Sequence, residues 1–340
     1  MIRVLVVVLL ALVGALAVSV TLTPVMIRIA HRLNVVDKPG GHKTHIQPVP
    51  YMGGLGMVIA VAIIVLTWSG VGNTADVASE VILVAVVGGV FACLGFIDDL
   101  RNLAPFVRLI VEFSGATAIA IWGVRAETGL PESVDILLSV LWIVAVVNAV
   151  NMLDHQDGLA AGTTAISAFT FAWIAWHNNQ VFVPALCGAV AGAALGFLKS
   201  NFHPAKIYMG DSGAYFLGLL LAYSGLKVDT PLDQGLSIWI APFVIAIPVL
   251  DSSLVVLTRL RHRKNPLTGG KDHTSHRLMR RGLEKQKAVL VLYAVAAVFC
   301  GFGLMASVYW TEFASLILIV GAMTFLLIWA SFWVIDPGYS

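Results

Sequence analysis

The chain is 340 residues long, carries a formal net charge of +2, and is 59% hydrophobic but only 12% charged, with a mean hydropathy of +0.89. A water-soluble domain needs roughly a quarter of its residues charged to cover its surface, so a soluble multidomain protein is excluded, together with disordered, collagen-like and disulfide-scaffold chains. The three cysteines, Cys93, Cys187 and Cys300, lie singly in apolar runs without disulfide or metal-site spacing and read as small buried apolar side chains.

The class that remains is a polytopic membrane protein, a single all-α domain over residues 1–340. Its crossings are apolar stretches of about 20 residues between charged or Gly/Pro-marked breaks. Eleven qualify, with ten as the alternative count: residues 3–27, 51–69, 80–97, 105–123, 134–153, 159–176, 181–198, 211–227, 236–257, 288–309 and 311–334. The first has the outward form of a signal peptide, with Arg3 ahead of the apolar run and Ala15-Leu16-Ala17 like a cleavage site. Apolar sequence continues to Ile27, however, so a crossing is expected. Alternation of the crossings divides the loops into two sets, and all but Arg3, Arg125 and Lys227 of the 21 Lys and Arg fall in one of them. By the positive-inside rule that set is cytoplasmic. The N-terminus is then expected outside and the C-terminus inside, in a cell's inner (cytoplasmic) membrane.

The same sorting gathers the carboxylates on one side. Asp98 and Asp99 close the third crossing, Asp154 and Asp157 the fifth, Asp211 opens the eighth, and Asp272, His273 and His276 lie in the loop after the ninth. Adjacent aspartates at an apolar helix end repel each other unless a cation or donors balance them, and a divalent metal supplies that balance. Oxygen-rich ligands suit Mg²⁺, or Mn²⁺, rather than zinc. Because Mg²⁺ is usually held by one or two carboxylates plus substrate phosphates, the pattern points to phosphate chemistry on the cytoplasmic loops. The spacing of Asn151, Asp154 and Asp157 predicts one shared helical face. His273 and His276 have the same spacing and suit phosphate donors or proton carriers. The Arg259–Lys287 loop holds ten Lys and Arg, suiting acidic headgroups or a polyanionic substrate. Gly53-Gly54-x-Gly56 reads as close helix packing, and Gly210-Asp211-Ser212-Gly213 as close approach to a phosphate or a helix. No Walker A loop, HExxH or GxSxG is present, so nucleotide hydrolysis, zinc proteolysis and serine esterase chemistry lack support.

Six segments, in order, resemble the polyprenyl-phosphate N-acetylhexosamine-1-phosphate transferases, the superfamily with WecA, TagO and MraY branches. They are DKPGGHKTHIQPVPYMGGLGM from Asp37, GFIDDL from Gly95, NAVNMLDHQDGLAAG from Asn148, NFHPAKIYMGDSGAYFLG from Asn201, PVLDSSLVVLTRLRHRKNP from Pro248 and DHTSHRL from Asp272. The resemblance implies ten or eleven transmembrane helices, a Mg²⁺ site on cytoplasmic loops and a groove for the polyprenyl tail. It implies transfer of an N-acetylhexosamine 1-phosphate, with GlcNAc-1-phosphate the favoured group, from a UDP-sugar to polyprenyl phosphate, releasing UMP and initiating a cell-envelope glycan. Asp211 would be the principal metal ligand, with Asp98 and Asp99 near the metal and the lipid phosphate. Asn151, Asp154 and Asp157 would line the nucleotide-sugar pocket, and Lys43, His273 and His276 would meet phosphates or sugar. His45, Asn201 and Arg277, inside the matching segments, complete the expected substrate-binding set, and Asp157, His273 and His276 join Asp98 and Asp99 as catalytic candidates. The partners are UDP-N-acetylhexosamine, the lipid phosphate and the membrane, without nucleic acid, and a homodimer stays open.

The chain differs from the common pattern in having His155-Gln156-Asp157-Gly158 where many members have Gly-x-Asp-Gly, in its short DHTSHRL, and in Ala214 where Ser is usual. That histidine segment lacks the PxHHHxE form of the MraY branch, which transfers phospho-N-acetylmuramoyl-pentapeptide, so the WecA/TagO side is preferred. An ion-coupled transporter is the rival class, but its acids would lie mid-span, and here the aspartates singled out cluster at one face, with Asp251 the exception. Direct attack of the lipid phosphate is expected over an aspartyl-phosphate on Asp98 or Asp99.

Overall fold

The computed structural model describes residues 2–37, 48–69, 75–266 and 268–339. Apart from a two-residue antiparallel ladder between β1 (Val36–Asp37) and β2 (Val49–Pro50), the regular structure is helical. In chain order the helices are α1 (Ile2–Arg32), α2 (Gly53–Ser69), α3 (Ala75–Arg101), α4 (Pro105–Trp122), α5 (Glu132–Leu153), α6 (Leu159–His177), α7 (Phe182–Asn201) and α8 (Asp211–Lys227). There follow α9 (Gln234–Ser237), α10 (Ile240–Val244), α11 (Ala246–Arg261), α12 (Thr274–Arg280), α13 (Lys285–Leu304) and α14 (Ala314–Trp333). The chain is thus a multi-pass helical membrane protein. Every predicted crossing has helix in its place; among the described residues, eight helices are long and apolar enough to cross a bilayer, or nine if the bent pair from α9 to α11 is one span. Helices α2 and α8 are apolar but have only 17 residues each. The ninth predicted crossing is broken, α9–α10 meeting α11 at 77°.

That bend has a local cause. Pro248 has no N–H to give the Val244 carbonyl one turn back, and the Ser167 hydroxyl donates to that carbonyl instead, at 2.7 Å. A side chain of a neighbouring helix so satisfies a backbone group that the bilayer could not.

Small residues set the helix contacts. Gly188, Gly192 and Gly196 form one face of α7, and a Cβ on them would meet the backbone oxygens of Val8, Leu12 and Leu16 of α1 at 2.9, 2.1 and 2.7 Å. The first helix is therefore a packed member of the bundle, as expected of a crossing. The Gly53-Gly54-x-Gly56 reading also holds, because a Cβ on Gly54 would lie 2.2 Å from the Gly213 nitrogen of α8. A Cβ on Gly95 of α3 would lie 2.3 Å from the Asp211 carbonyl carbon. Helices α2, α3 and α8 thus come together at the end of the bundle where Asp211 begins its helix. Large side chains such as Leu326 and Leu327 on α14 face outward at 63% and 70% exposure, as a lipid-facing surface requires. Cys187 and Cys300 are buried as expected, whereas Cys93 is exposed on α3, which corrects its reading as a buried side chain.

Candidate active site

Three helix ends and two loops build the site. Asp99, in the last turn of α3, accepts the backbone N–H of Asp211 through Oδ1 at 3.0 Å, while its Oδ2 is buried and has no hydrogen-bond partner among the described residues. Asn151, in the last turn of α5, donates from Nδ2 to Asp211 Oδ1 at 2.7 Å. Between these groups stands Gly210, at φ +74°, where a Cβ would lie 2.6 Å from Asp99 Oδ2 and 2.8 Å from the Tyr51 carbonyl oxygen. Only glycine suits both that backbone conformation and that crowding. The segment is held by the Gly53 and Gly54 N–H groups, which donate to the carbonyls of Tyr208 and Met209 at 3.1 and 2.8 Å.

Asp98 and Asp99, although adjacent, do different work. Asp98 is 4% exposed, accepts Leu103 N–H through Oδ1 at 2.7 Å, and through Oδ2 meets Arg108 at 2.7 Å and the Tyr215 hydroxyl at 3.2 Å. It also comes within hydrogen-bond reach of Asp211. Both of its oxygens are therefore engaged by the protein, whereas Asp99 keeps one free.

The predicted common face of Asn151, Asp154 and Asp157 is corrected. Helix α5 stops at Leu153, Asp154 is its C-cap, and residues 154–158 turn sharply into Gly158 at φ +79°. The three residues still converge, but from a turn. Burial first, and then the carboxylates of Asp211, Asp99 and Asp157, hold the Asp154 carboxyl well above its usual range, although the Gly210 N–H donates to it. Asp157 instead faces His203, whose Nδ1 is 2.6 Å from Asp157 Oδ2. Asn201, expected to bind substrate, is 2% exposed and spends Oδ1 on the Gly158 N–H and Nδ2 on the Ile207 carbonyl, both at 2.9 Å. It fixes the turn that carries Asp154 and Asp157.

Arg277 is likewise corrected. It is fully buried and donates to the carbonyls of Asp272, Phe332 and Ile335 at 2.9 Å each and to Thr258 Oγ1 at 2.8 Å. Its fork clamps α12 to the C-terminal segment and is spent on the fold. Asp272 too is consumed, by a bidentate pair with Arg259 at 2.8 and 2.9 Å. Burial would raise its carboxyl, but Arg259 and the Tyr339 hydroxyl hold it below its usual range. Arg280 donates to the Asp336 and Lys271 carbonyls. Part of the basic loop's charge is therefore internal rather than presented to a ligand.

His273 and His276 do come together, their ring centroids 5.8 Å apart. His273 is held through Nδ1 by Asp251 Oδ2 at 2.7 Å, while Asp251 Oδ1 accepts the Thr274 N–H and hydroxyl, each at 2.7 Å. The mid-span Asp251 is thereby a histidine orienter, carried inward by the helix that starts after the 77° bend. His276 Nδ1 is buried and has no partner among the described residues, and burial, then His273, pushes its pKa down to about 4. Lys43 and His45 lie outside the described residues.

Asp154, Asp157, Asn201, Asp211 and His276 line one cavity of about 520 Å³, which also includes Tyr51, Tyr208, Lys271 and Lys285. Sequence reasoning missed Arg108 and His203 as members of this region, and noted His155 only as a departure from the common pattern. For Arg108 a signal existed: a cation one turn inside an apolar helix implies an acid partner nearby.

A family model described as glycosyl transferase family 4 matches residues 80–229, the stretch from α3 through α8. The chain is 33% identical over 303 residues to a Bacillus subtilis (strain 168) protein named as a probable undecaprenyl-phosphate N-acetylglucosaminyl 1-phosphate transferase, covering 85% of this chain and 82% of that one. It is 32% identical over 337 residues to the decaprenyl-phosphate N-acetylglucosaminephosphotransferase of Mycolicibacterium smegmatis, covering 88% and 82%. To the undecaprenyl-phosphate alpha-N-acetylglucosaminyl 1-phosphate transferase of Escherichia coli (strain K12) it is 25% identical over 295 residues, covering 82% and 78%.

Proposed function

We propose that this chain, which belongs to glycosyl transferase family 4, transfers N-acetylglucosamine 1-phosphate from UDP-N-acetylglucosamine to a polyprenyl phosphate in the membrane. The products are polyprenyl-diphosphate-N-acetylglucosamine and UMP, and the reaction opens the assembly of a cell-envelope glycan. The observation that carries the reading is the Asp99–Asp211 pair, in which Asp211 lines the cavity and one buried Asp99 oxygen has no hydrogen-bond partner among the described residues. The names of the relatives favour the GlcNAc donor over the muramoyl-pentapeptide of the MraY branch, and favour an enzyme over a transporter.

The donor set fits a hard divalent cation. Asp154 lies buried close to the carboxyls of Asp211 and Asp99, and Asp99 Oδ2 has no hydrogen-bond partner among the described residues. Oxygen donors of this kind suit Mg²⁺. Asp211 and Asp99 would hold it, and when bound it would neutralise charge on the diphosphate. Asn151 orients Asp211 through its 2.7 Å bond, so that the carboxylate is positioned before substrate arrives. The lipid phosphate oxygen attacks the β-phosphorus of the UDP-sugar, the bond from that phosphorus to the bridging oxygen breaks, and UMP leaves. Direct attack is supported over an aspartyl-phosphate at Asp98, because both oxygens of that side chain are engaged. Lys271, Lys285 and His276, all at the cavity, supply positive or hydrogen-bonding groups for the diphosphate. His273, backed by Asp251, has its other ring nitrogen for the same use.

The charge asymmetry of the loops supports a topology with this end of the bundle in the cytoplasm, the N-terminus outside and the C-terminus inside. The test is UMP release by purified protein given undecaprenyl phosphate, Mg²⁺ and a panel of UDP-sugars. Turnover confined to UDP-GlcNAc is expected. Absence of UMP with every donor would sink the reading.

A further inference from the structure

Three imidazoles from two chain segments meet beside the cavity. His155 comes from the turn after α5, and His273 and His276 from the start of α12. The His155 ring lies over His273 with centroids 3.9 Å apart and planes 25° from parallel, and over His276 at 5.1 Å and 28°. Both nitrogens of His155 are engaged. Nδ1 is 2.9 Å from the Met152 carbonyl oxygen, an acceptor only, so Nδ1 carries the proton. Nε2 must then accept from the Ser275 hydroxyl, 2.7 Å away.

A ring held in one tautomer with neither nitrogen free has no proton to exchange and no lone pair for a metal. The same is true of Asp251, whose oxygens are committed to His273 and Thr274. The close grouping of His155, Asp251 and His273 is therefore a hydrogen-bonded cluster and not a metal site. What His155 still offers is its face. Its two neighbours are different: His273 is tied at Nδ1 alone, and His276 lines the cavity with Nδ1 unpartnered.

We propose that His155 is a positioning residue of the transferase site, a fixed platform that holds the His273 and His276 rings so that their uncommitted nitrogens aim at the diphosphate. The inference rests on the transferase reading. The platform is rigid because it is anchored at both edges, to the end of α5 and to α12, and so it also sets the distance between those elements. Burial, then the adjacent His273, pushes the His155 pKa down to about 3, so the ring stays neutral within the stack. A group misplaced by about 1 Å in such a site loses up to roughly a hundredfold in rate, and holding two rings against one face prevents that displacement.

The test compares full-length wild type with His155→Ala, His155→Phe and Ser275→Ala in the UMP assay with UDP-GlcNAc and undecaprenyl phosphate. His155→Ala is expected to lose about tenfold or more in kcat with the KM for UDP-GlcNAc within about threefold, since positioning acts on the transition state. His155→Phe keeps the stacking face but loses both anchors and is expected between His155→Ala and wild type, and Ser275→Ala, which loses one anchor, between His155→Phe and wild type. A folded His155→Ala with wild-type kcat overturns the proposal, and so does a change confined to KM, which would make His155 a direct substrate contact. If His155→Ala does not fold, Ser275→Ala decides, and wild-type kcat there overturns it equally. An active wild type with indifferent variants sinks this inference alone, whereas an inactive wild type sinks the transferase reading and this inference with it.

Discussion

Asp99 caps a helix to which it does not belong: its Oδ1 accepts the N–H of Asp211, the first residue of α8, 112 positions further along the chain. The bond meets one of the donors that a helix start leaves unpaired and sets a negative charge at the positive end of the helix. It also holds two carboxylates side by side, which is unfavourable unless a cation joins them.

Asp99→Asn keeps an oxygen for the cap and removes the charge, and Asp211→Asn keeps the Asn151 contact. Each is expected to lower UMP release by about a hundredfold or more, the scale of removing a central electrostatic group, while melting in detergent changes little. Chelation with EDTA should stop turnover and Mg²⁺ restore it. Near-normal activity of Asp211→Asn would refute the metal assignment.

Arg277→Ala removes four hydrogen bonds from a buried guanidinium and leaves three backbone carbonyls without that partner. A loss of about 3 kcal/mol or more follows from the cost of buried unsatisfied groups. Lysine cannot reproduce the planar fork, so Arg277→Lys should not recover the melting temperature, and protease should cut the segment after α14 sooner. A variant that melts like wild type but has a raised KM would restore the substrate-binding role to Arg277.

Gly54→Ala sets a methyl group 2.2 Å from the Gly213 nitrogen, against backbone that has nowhere to go. Overpacking of this kind costs about 1–3 kcal/mol, and here it would also push α2 from the start of α8. Lower thermal stability and reduced turnover are expected together. Wild-type melting would show that the two helices can separate without consequence.

His276 and His155 have folded-state pKa values of about 4 and about 3, below the ordinary 6.5. Below about pH 6.5 the unfolded chain takes up these protons and the folded chain does not, so stability falls as the pH drops toward 4 and is level above 7 with respect to these groups. A plot of melting temperature against pH should show that acid-side decline, reduced in His155→Phe. A profile unchanged by that substitution would remove His155 from the account.

Apolar length was readable locally, which is why each predicted crossing has a helix in its place. Hydrophobic runs also exposed the acids, because carboxylates such as Asp98, Asp99 and Asp211 stand out at the ends of apolar helices. What each acid does was not readable. Nothing near Asp98 in sequence distinguishes it from Asp99, and only Arg108 and Tyr215, brought in by α4 and α8, commit the first and leave the second open. The spacing of Asn151, Asp154 and Asp157 misled, since helix α5 ends at Leu153 and periodicity stops with it. Asn201 and Arg277 were expected to be ligand groups because they lie inside the segments that resemble the family, yet buried backbone groups needed them first.

By itself, then, the sequence determined that the chain lives in a membrane, which stretches become helices, and that acids and bases crowd toward one side. Those properties depend on composition and on neighbours a few residues apart. The tertiary structure alone decided which carboxylate stays unpaired, which arginine is structural, and that His155 meets Ser275 across 120 positions. These are set by contacts between distant segments, whose energies depend on distances of a few ångströms that no local pattern encodes.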